Sequence, residues 1–166
     1  MGKVIALCGK ICSGKSFYAQ KLKESLNAVI LSPDEATYDL IKNEQGEFYD
    51  IFSKRLIDYL TKKSAEIAQA GANVILERGL WTHQERTEIK DFFKSRNIDF
   101  EIHYVMVDEE IWSKNILERN KKVLEGKGKE AFYLDEGLLK KLELLWEEPT
   151  NDEYDVIYRN NRNDKR

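Results

Sequence analysis

Residues 9–16 read Gly-Lys-Ile-Cys-Ser-Gly-Lys-Ser and match the pattern G-x-x-x-x-G-K-S at every fixed position. Two glycines at this spacing allow the backbone to turn successive N–H groups towards one anion. The lysine and the serine that follow the second glycine supply a positive charge for phosphate oxygens and a hydroxyl ligand for Mg²⁺. The spacing therefore predicts a loop that binds the phosphates of a nucleotide.

The segments on both sides of this phosphate loop (residues 9–16) are those that the motif requires. The apolar run Val4–Cys8 precedes the loop, and Lys15–Leu26 carries apolar side chains at helical spacing. A helix that begins at the loop presents its positive N-terminus to the same phosphates. We expect the nucleotide to be bound by Gly9, Lys10, Ile11, Cys12, Ser13, Gly14, Lys15, Ser16 and Phe17.

The rest of the chain alternates short apolar runs with longer helical patterns. Three of the runs, Val4–Cys8, Ala28–Leu31 and 73–76, are continuous, which is typical of parallel strands covered by helices on both faces. Residues 100–107 and 154–158 are further strand candidates. Helical patterns occupy 15–26, 48–70, 109–124 and 135–147, and a Thr82–Glu85 capping box opens another. This alternation predicts an α/β fold with a parallel sheet.

Length and composition exclude several classes of protein. A chain of 166 residues corresponds to one domain, over residues 1–166. The 27 Lys and Arg nearly balance the 30 Asp and Glu, for a net charge of −3 that disfavours a dedicated nucleic-acid binder. No apolar run is long enough to cross a membrane. With only Cys8 and Cys12, a disulfide framework is excluded and a cytoplasmic protein is expected.

Two acids follow predicted strands, where open α/β sheets place their ligands. Asp34 lies after the second strand and can take the proton of an acceptor hydroxyl, or it can cap the helical segment that follows. Glu77 lies after the third strand and can hold Mg²⁺ together with Ser16, or it can pair with Arg78.

On these residues the sequence resembles the zeta-toxin-like and polynucleotide-kinase-like branch of the P-loop kinases. The resemblance runs from the phosphate loop through Ser32-Pro33-Asp34-Glu35 and 77–86 to Glu118-Arg119-Asn120 and 146–153. It implies an adenylate-kinase-like, three-layer P-loop NTPase fold whose five-stranded parallel sheet has the order 2-3-1-4-5. It also implies that Asp34 is the catalytic base and that Arg119 belongs to a lid, at about residues 119–133.

Arg119 also stands out on its own helix, where it is in line with Trp112, Ile116 and Val123. It can face a ligand or pair with a nearby glutamate, and Lys121, Lys122, Lys127 and Lys129 follow it. The acceptor is expected against Asp34, Arg78, Trp81 and Arg86. The sequence departs from the related kinases here: they usually have an arginine soon after the first acid, and an aspartate in place of Glu77. The resemblance therefore does not name the acceptor.

These observations predict a kinase that transfers the γ-phosphoryl group of ATP to a hydroxyl, with Mg²⁺ as cofactor and Lys15, Asp34 and Arg119 as catalytic residues. The acceptor is a small molecule or a nucleotide. Two alternatives remain: a 5′-hydroxyl polynucleotide kinase, which the low net charge disfavours, and an ATP-binding switch protein that has no acceptor.

Overall fold

A computed structural model describes residues 1–41, 46–127 and 133–161. In this part of the chain, five strands form one sheet in the order β2-β3-β1-β4-β5, and all neighbouring strands are parallel. The strands are β1 (Val4–Cys8), β2 (Ala28–Leu31), β3 (Asn73–Gly79), β4 (Phe100–Met106) and β5 (Val156–Arg159). The predicted α/β architecture and its strand order are confirmed.

The described residues also form helices between and after these strands. They are α1 (Lys15–Leu26), α2 (Pro33–Ile41), α3 (Tyr49–Gln69), α4 (His83–Lys94), α5 (Glu109–Leu124) and α6 (Glu136–Leu145). None of these helices combines the length and the apolar content that crossing a bilayer requires.

The helix α2 was not predicted as a separate element. Its start nevertheless carries a recognisable signal, because the Ser32 hydroxyl accepts a hydrogen bond from the amide of Glu35 at 3.3 Å and proline follows at the first helical position. The helix is short, which made its apolar periodicity hard to read.

The central strand β1 explains why its sequence is apolar throughout. Val4, Ala6 and Cys8 pack in a core cluster with residues of α3 and α4, whereas Ile5 and Leu7 pack in a second cluster with residues of α1. Successive side chains of a strand point to opposite faces, so a sheet covered on both sides needs apolar residues at every position.

The helices α5 and α6 form a smaller unit beside the sheet. Trp112, Ile116 and Leu134 are buried together, with side chains of α6 packed around them. Two residues of the phosphate loop, Ile11 and Cys12, pack against the same cluster. The apolar faces of α5 and α6 therefore place these helices against the loop.

A buried arginine joins the start of α4 to residues 147–153. Arg86 donates from Nη1 to the carbonyl of Leu80 at 2.8 Å and from Nη2 to the carbonyl of Glu147 at 2.9 Å. Its Nε lies 3.3 Å from Oε1 of Glu153, whose carboxylate also contacts His83 Nδ1 at 2.8 Å. We call this set of contacts the Arg86 latch.

The charges of the Arg86 latch depend on one another. Burial alone would raise the pKa of Glu153, but hydrogen bonds from the amide of Thr150, from His83 and from Arg86 outweigh it and lower the pKa to about 2. The ionised form of Glu153 therefore stabilises the folded chain. Because the folded pKa lies below the ordinary 4.5, this contribution is complete above that pH and is lost as the pH falls towards 2.

We expect Glu153→Gln to lower the free energy of unfolding by roughly 2–4 kcal/mol at pH 7, because the substitution leaves the buried guanidinium without its counter-charge. The difference from the unaltered protein should shrink at pH 3, because Glu153 is then largely protonated in the unfolded chain, where its pKa is about 4.5, and must lose that proton on folding. Urea denaturation at the two pH values measures both quantities. Glu24→Gln, which changes an exposed carboxylate of α1, is the control, and an equal loss at both pH values would contradict the charge argument.

Candidate functional site

A cleft of about 460 Å³ lies over the phosphate loop, at the carboxyl ends of the strands, where parallel α/β sheets bind their ligands. Residues 11–17 line it, together with Glu77 of β3, side chains that follow β2 and β5, and side chains of α5. The structure brings together here all five residues predicted to be catalytic or to bind the metal, namely Lys15, Ser16, Asp34, Glu77 and Arg119.

Two glycines of the loop occupy positions that no larger residue can take. A Cβ atom on Gly9 would lie 2.6 Å from the Ser13 hydroxyl and 2.9 Å from the carbonyl oxygen of Val105. Gly14 has a φ angle of 99° and would place a Cβ atom 2.4 Å from the side-chain amide of Asn160. Both the turn and the close approach of neighbouring groups therefore require glycine.

Three consecutive carbonyl groups of the loop are held from outside by side chains of distant elements. The indole of Trp112 donates to the carbonyl of Ile11 at 2.7 Å. The amides of Asn115 and Asn160 donate to the carbonyls of Cys12 and Ser13, each at 2.9 Å. These contacts orient the peptides of the loop. Because a trans peptide directs its N–H away from its C=O, they also set the direction of the loop N–H groups. Sequence reasoning missed both asparagines, since nothing local to them indicates a contact with the loop.

Lys15 extends along the inside of the loop. Its ammonium donates to the carbonyls of Gly9 and Lys10 at 2.7 and 2.9 Å. Burial lowers the pKa of Lys15, and the negative charges of Glu77 and Asp34 partly oppose that effect. The positive charge is thus placed where the loop can present it to phosphate oxygens.

The N-terminus of α1 carries neither a side-chain cap nor an acidic residue in its first turn. In contrast, α4 begins with the complete Thr82–Glu85 capping box that the sequence predicted. The first amides of a helix need an acceptor, and they carry the positive end of the helix dipole. At α1 this end is well suited to an anion bound in the cleft.

Ser16 and Glu77 meet beneath the loop, where the Ser16 hydroxyl donates to the carboxylate of Glu77. Burial raises the pKa of Glu77, although the hydrogen bond from Ser16 and the charge of Lys15 lower it. The negative charge of Asp34 also acts on Glu77 and on Lys15. A hydroxyl and nearby carboxylates are oxygen ligands of the kind that Mg²⁺ takes when phosphates complete its shell.

The donor set therefore fits a magnesium ion that is shared with a nucleotide. Among residues 1–41, 46–127 and 133–161, no group of three or more His, Cys, Asp and Glu is arranged to hold a metal by itself. Ser16 and Glu77 would hold the ion, directly or through its water molecules, and phosphates would supply further ligands.

Asp34 occupies the first turn of α2 and lines the cleft. The alternative that Asp34 caps a helix is not realised, because Ser32 takes that place with its hydrogen bond to Glu35. The carboxylate of Asp34 is exposed, so it is accessible to a bound acceptor.

The helix α5 also contributes to the wall of the cleft. Ile111, Asn115, Glu118, Arg119 and Lys122 line it. Of the predicted lid at 119–133, residues 119–127 are the end of α5 and the turn after it. Residues 128–132, which include Lys129, lie outside the described part of the chain.

Comparison with protein families identifies the domain. The chain belongs to the AAA domain family AAA_33, which matches residues 4–139. The matched residues of this AAA domain include the phosphate loop, Asp34, Glu77 and Arg119. No curated protein matches the sequence.

Solved structures show the same fold in known kinases and in one further nucleotide complex. The APS kinase CysC of Mycobacterium tuberculosis, in complex with AMPPNP and APS, has a TM-score of 0.68 at 17% identity over 97% of this chain and 90% of that chain. A gluconokinase from Sinorhizobium meliloti has a TM-score of 0.63 at 12% identity over 95% and 82%. Chaetomium thermophilum Kti12 in complex with ADP-AlF3 has a TM-score of 0.68 at 16% identity over 98% and 90%. At these identities the similarity shows a shared fold.

Four of the predicted side chains, those of Lys10, Arg78, Trp81 and Arg86, do not line the cleft. Arg86 belongs to the Arg86 latch and is 0% exposed, so the expectation that it contacts an acceptor is corrected. Arg78 does not line the cleft, and its Nη2 is 3.8 Å from Glu85 on α4. It does not pair with Glu77, because neighbouring residues of a strand point to opposite faces. Trp81 and the side chain of Lys10 face a second cavity instead.

We expect Glu77→Gln to stabilise the protein without ligand and to weaken its binding of Mg²⁺·ATP. Glutamine removes the cost of burying a charge whose pKa is raised, and a gain of about 1 kcal/mol would raise Tm by about 2–4 °C. Loss of the carboxylate should weaken the affinity for Mg²⁺·ATP by about 10–100-fold. Calorimetry with and without Mg²⁺ measures the second effect, and an affinity that is unchanged in Mg²⁺ would contradict the metal assignment.

Proposed function

We propose that this AAA domain is an ATP-dependent kinase that transfers the γ-phosphoryl group to a hydroxyl of a small molecule. The observation that carries the proposal is that one cleft is lined by Lys15, the Ser16–Glu77 pair, Asp34 and Arg119. Phosphoryl transfer needs positioning, neutralisation of charge and a base, and these residues supply all three.

In the proposed reaction each of these residues has a separate part. The loop amides and Lys15 hold the phosphates, and the acceptor oxygen attacks the γ-phosphorus from the side of Asp34. As the new P–O bond forms, the bond to the β,γ-bridging oxygen breaks and ADP leaves. The hydroxyl proton passes to the carboxylate of Asp34. Magnesium, held by Ser16 and Glu77, would neutralise the developing negative charge.

Several observations favour a small-molecule acceptor over a nucleic acid. The net charge is −3, whereas proteins that bind polynucleotides usually carry a basic surface. The similar structures include a gluconokinase and an APS kinase. The resemblance to the zeta-toxin-like and polynucleotide-kinase-like P-loop kinases supports phosphoryl transfer to a hydroxyl and does not distinguish the two classes of acceptor. Neither Cys8 nor Cys12 forms a disulfide, in keeping with a cytoplasmic location.

The proposal is tested with radiolabelled ATP, Mg²⁺ and a panel of metabolites and oligonucleotides. A kinase of this kind labels at least one small-molecule alcohol. Labelling of oligonucleotide 5′-ends alone would replace the proposal with a polynucleotide kinase. ATP binding without transfer to any acceptor would indicate a nucleotide-dependent switch protein.

Asp34→Asn should lower the rate of transfer by about 10²–10⁴-fold, the usual contribution of a general base. The melting temperature should change little, because Ser32 rather than Asp34 caps α2. Asp39→Asn is the matched control, since Asp39 is an exposed residue of the same helix and does not line the cleft. Transfer at the normal rate by a folded Asp34→Asn protein would exclude Asp34 as the base.

Arg119→Ala should lower kcat by about 10²–10³-fold and change the affinity for ATP much less, because negative charge develops in the transition state. Arg119→Lys should restore only part of the rate, since an ammonium cannot replace the planar guanidinium. Steady-state kinetics with the identified acceptor separate kcat from KM. Lys121→Ala on the same helix is the control, and equal effects of the two alanine variants would contradict a specific role for Arg119.

A further inference from the structure

A second cavity, of about 210 Å³, lies beside the phosphate loop. Its walls include two loop residues, Lys10 and Ile11, and three tryptophans, Trp81, Trp112 and Trp146. Ile11 also lines the nucleotide cleft. The cavity therefore adjoins the place where the loop holds phosphates.

The tryptophan rings are fixed in position by their neighbours. The indole of Trp112 donates to Ile11 at 2.7 Å, and that of Trp146 donates to Glu148 at 2.8 Å. Trp81 stands edge-on to Trp146, with ring centroids 5.9 Å apart and an interplanar angle of 86°. The site is thus a preformed pocket with aromatic walls.

Two charged residues, Lys10 and Glu143, line this pocket. The ammonium of Lys10 lies 3.7 Å from the ring centroid of Trp112 and 3.5 Å from a carboxylate oxygen of Glu109. Lys10 thus places its side chain on a tryptophan ring and away from the nucleotide cleft. A cation bound by a ring face in this way is typical of aromatic sites.

The volume of this pocket and the residues that line it indicate the class of ligand that fits. Pockets for drug-sized ligands measure about 300–1,000 Å³, so this smaller one suits a single flat ring system. Indole rings bind such a ligand by stacking and edge-to-face contacts. Trp81 and Trp146 remain partly exposed, which leaves aromatic surface for the ligand to cover.

We propose that the tryptophan pocket binds the flat aromatic part of the acceptor, so that the substrates of this domain are alcohols that carry an aromatic ring. The inference rests on the proposed kinase function, because that function places the acceptor beside the loop. The ring packs in the pocket against the exposed parts of Trp81 and Trp146, and the hydroxyl extends past Ile11 towards the phosphates.

The test follows the indole N–H signals of ¹⁵N-labelled protein by NMR. The chain has three tryptophans and all three line the pocket, so every indole signal reports on it. The probes are adenosine and 2-phenylethanol, matched with D-ribose and 2-cyclohexylethanol, which lack an aromatic ring. Adenosine is added in the presence of saturating Mg²⁺ and AMPPNP. The AMPPNP occupies the nucleotide site, so binding of adenosine at that site cannot cause the shifts. Trp81→Phe and Trp146→Phe assign the signals.

The aromatic alcohols are expected to cause saturable shifts of the indole signals. They should bind at least about tenfold more tightly than their matched partners, because stacking on indole contributes to their affinity. Trp81→Leu should abolish most of this difference, whereas Tyr59→Leu, which removes an exposed ring on α3, should leave it unchanged. Equal binding of cyclohexyl and phenyl probes, or no binding in the unaltered protein, would overturn the proposal.

A transfer assay with the same probes separates the pocket from the reaction. Labelling of a bound aromatic alcohol by radiolabelled ATP supports both proposals. Binding of aromatic probes when no acceptor of any class is labelled upholds the pocket as an aromatic site and overturns only the kinase function. Labelling of non-aromatic alcohols alone upholds the kinase function and overturns the aromatic substrate class.

Discussion

The ammonium of Lys15 is the charge on which the arrangement of the site depends. It is enclosed by carbonyl groups of its own loop, and burial lowers its pKa. A desolvated cation of this kind needs negative charge nearby, and Glu77 and Asp34 supply part of it. The phosphates of a bound nucleotide would supply further negative charge. The loop, the acids and the open N-terminus of α1 therefore form one electrostatic unit.

The features that could be predicted from the sequence are those determined by residues that are close together in the chain. The phosphate loop needs its glycines because of local crowding and a positive φ angle, and the capping box of α4 lies within four residues. The continuous apolar run of β1 indicated a sheet covered on both faces. The strand order came from a resemblance to known kinases, because apolar patterns alone do not rank the neighbours of a strand.

Contacts between distant residues account for what the sequence did not reveal. Arg86 is close in sequence to residues that were predicted to line the cleft. No neighbouring residue indicates that Glu147 and Glu153 will enclose its side chain. The side chain of Lys10 occupies a loop position, yet it turns to the ring of Trp112 on α5. In each case the deciding partner is at least sixty residues away, so spacing cannot identify it.

Three side chains of distant elements donate hydrogen bonds to the phosphate loop, and these contacts also limit when the loop can form during folding. Trp112, Asn115 and Asn160 are separated from their carbonyl partners by 101, 103 and 147 residues. Contacts of such long range close large loops of chain and are entropically costly to form early. A partly folded chain in which β5 has not yet docked lacks the contact of Asn160 with Ser13. We therefore expect the loop to acquire its final shape late in folding, as a property of the complete tertiary structure, although its motif spans only eight residues of sequence.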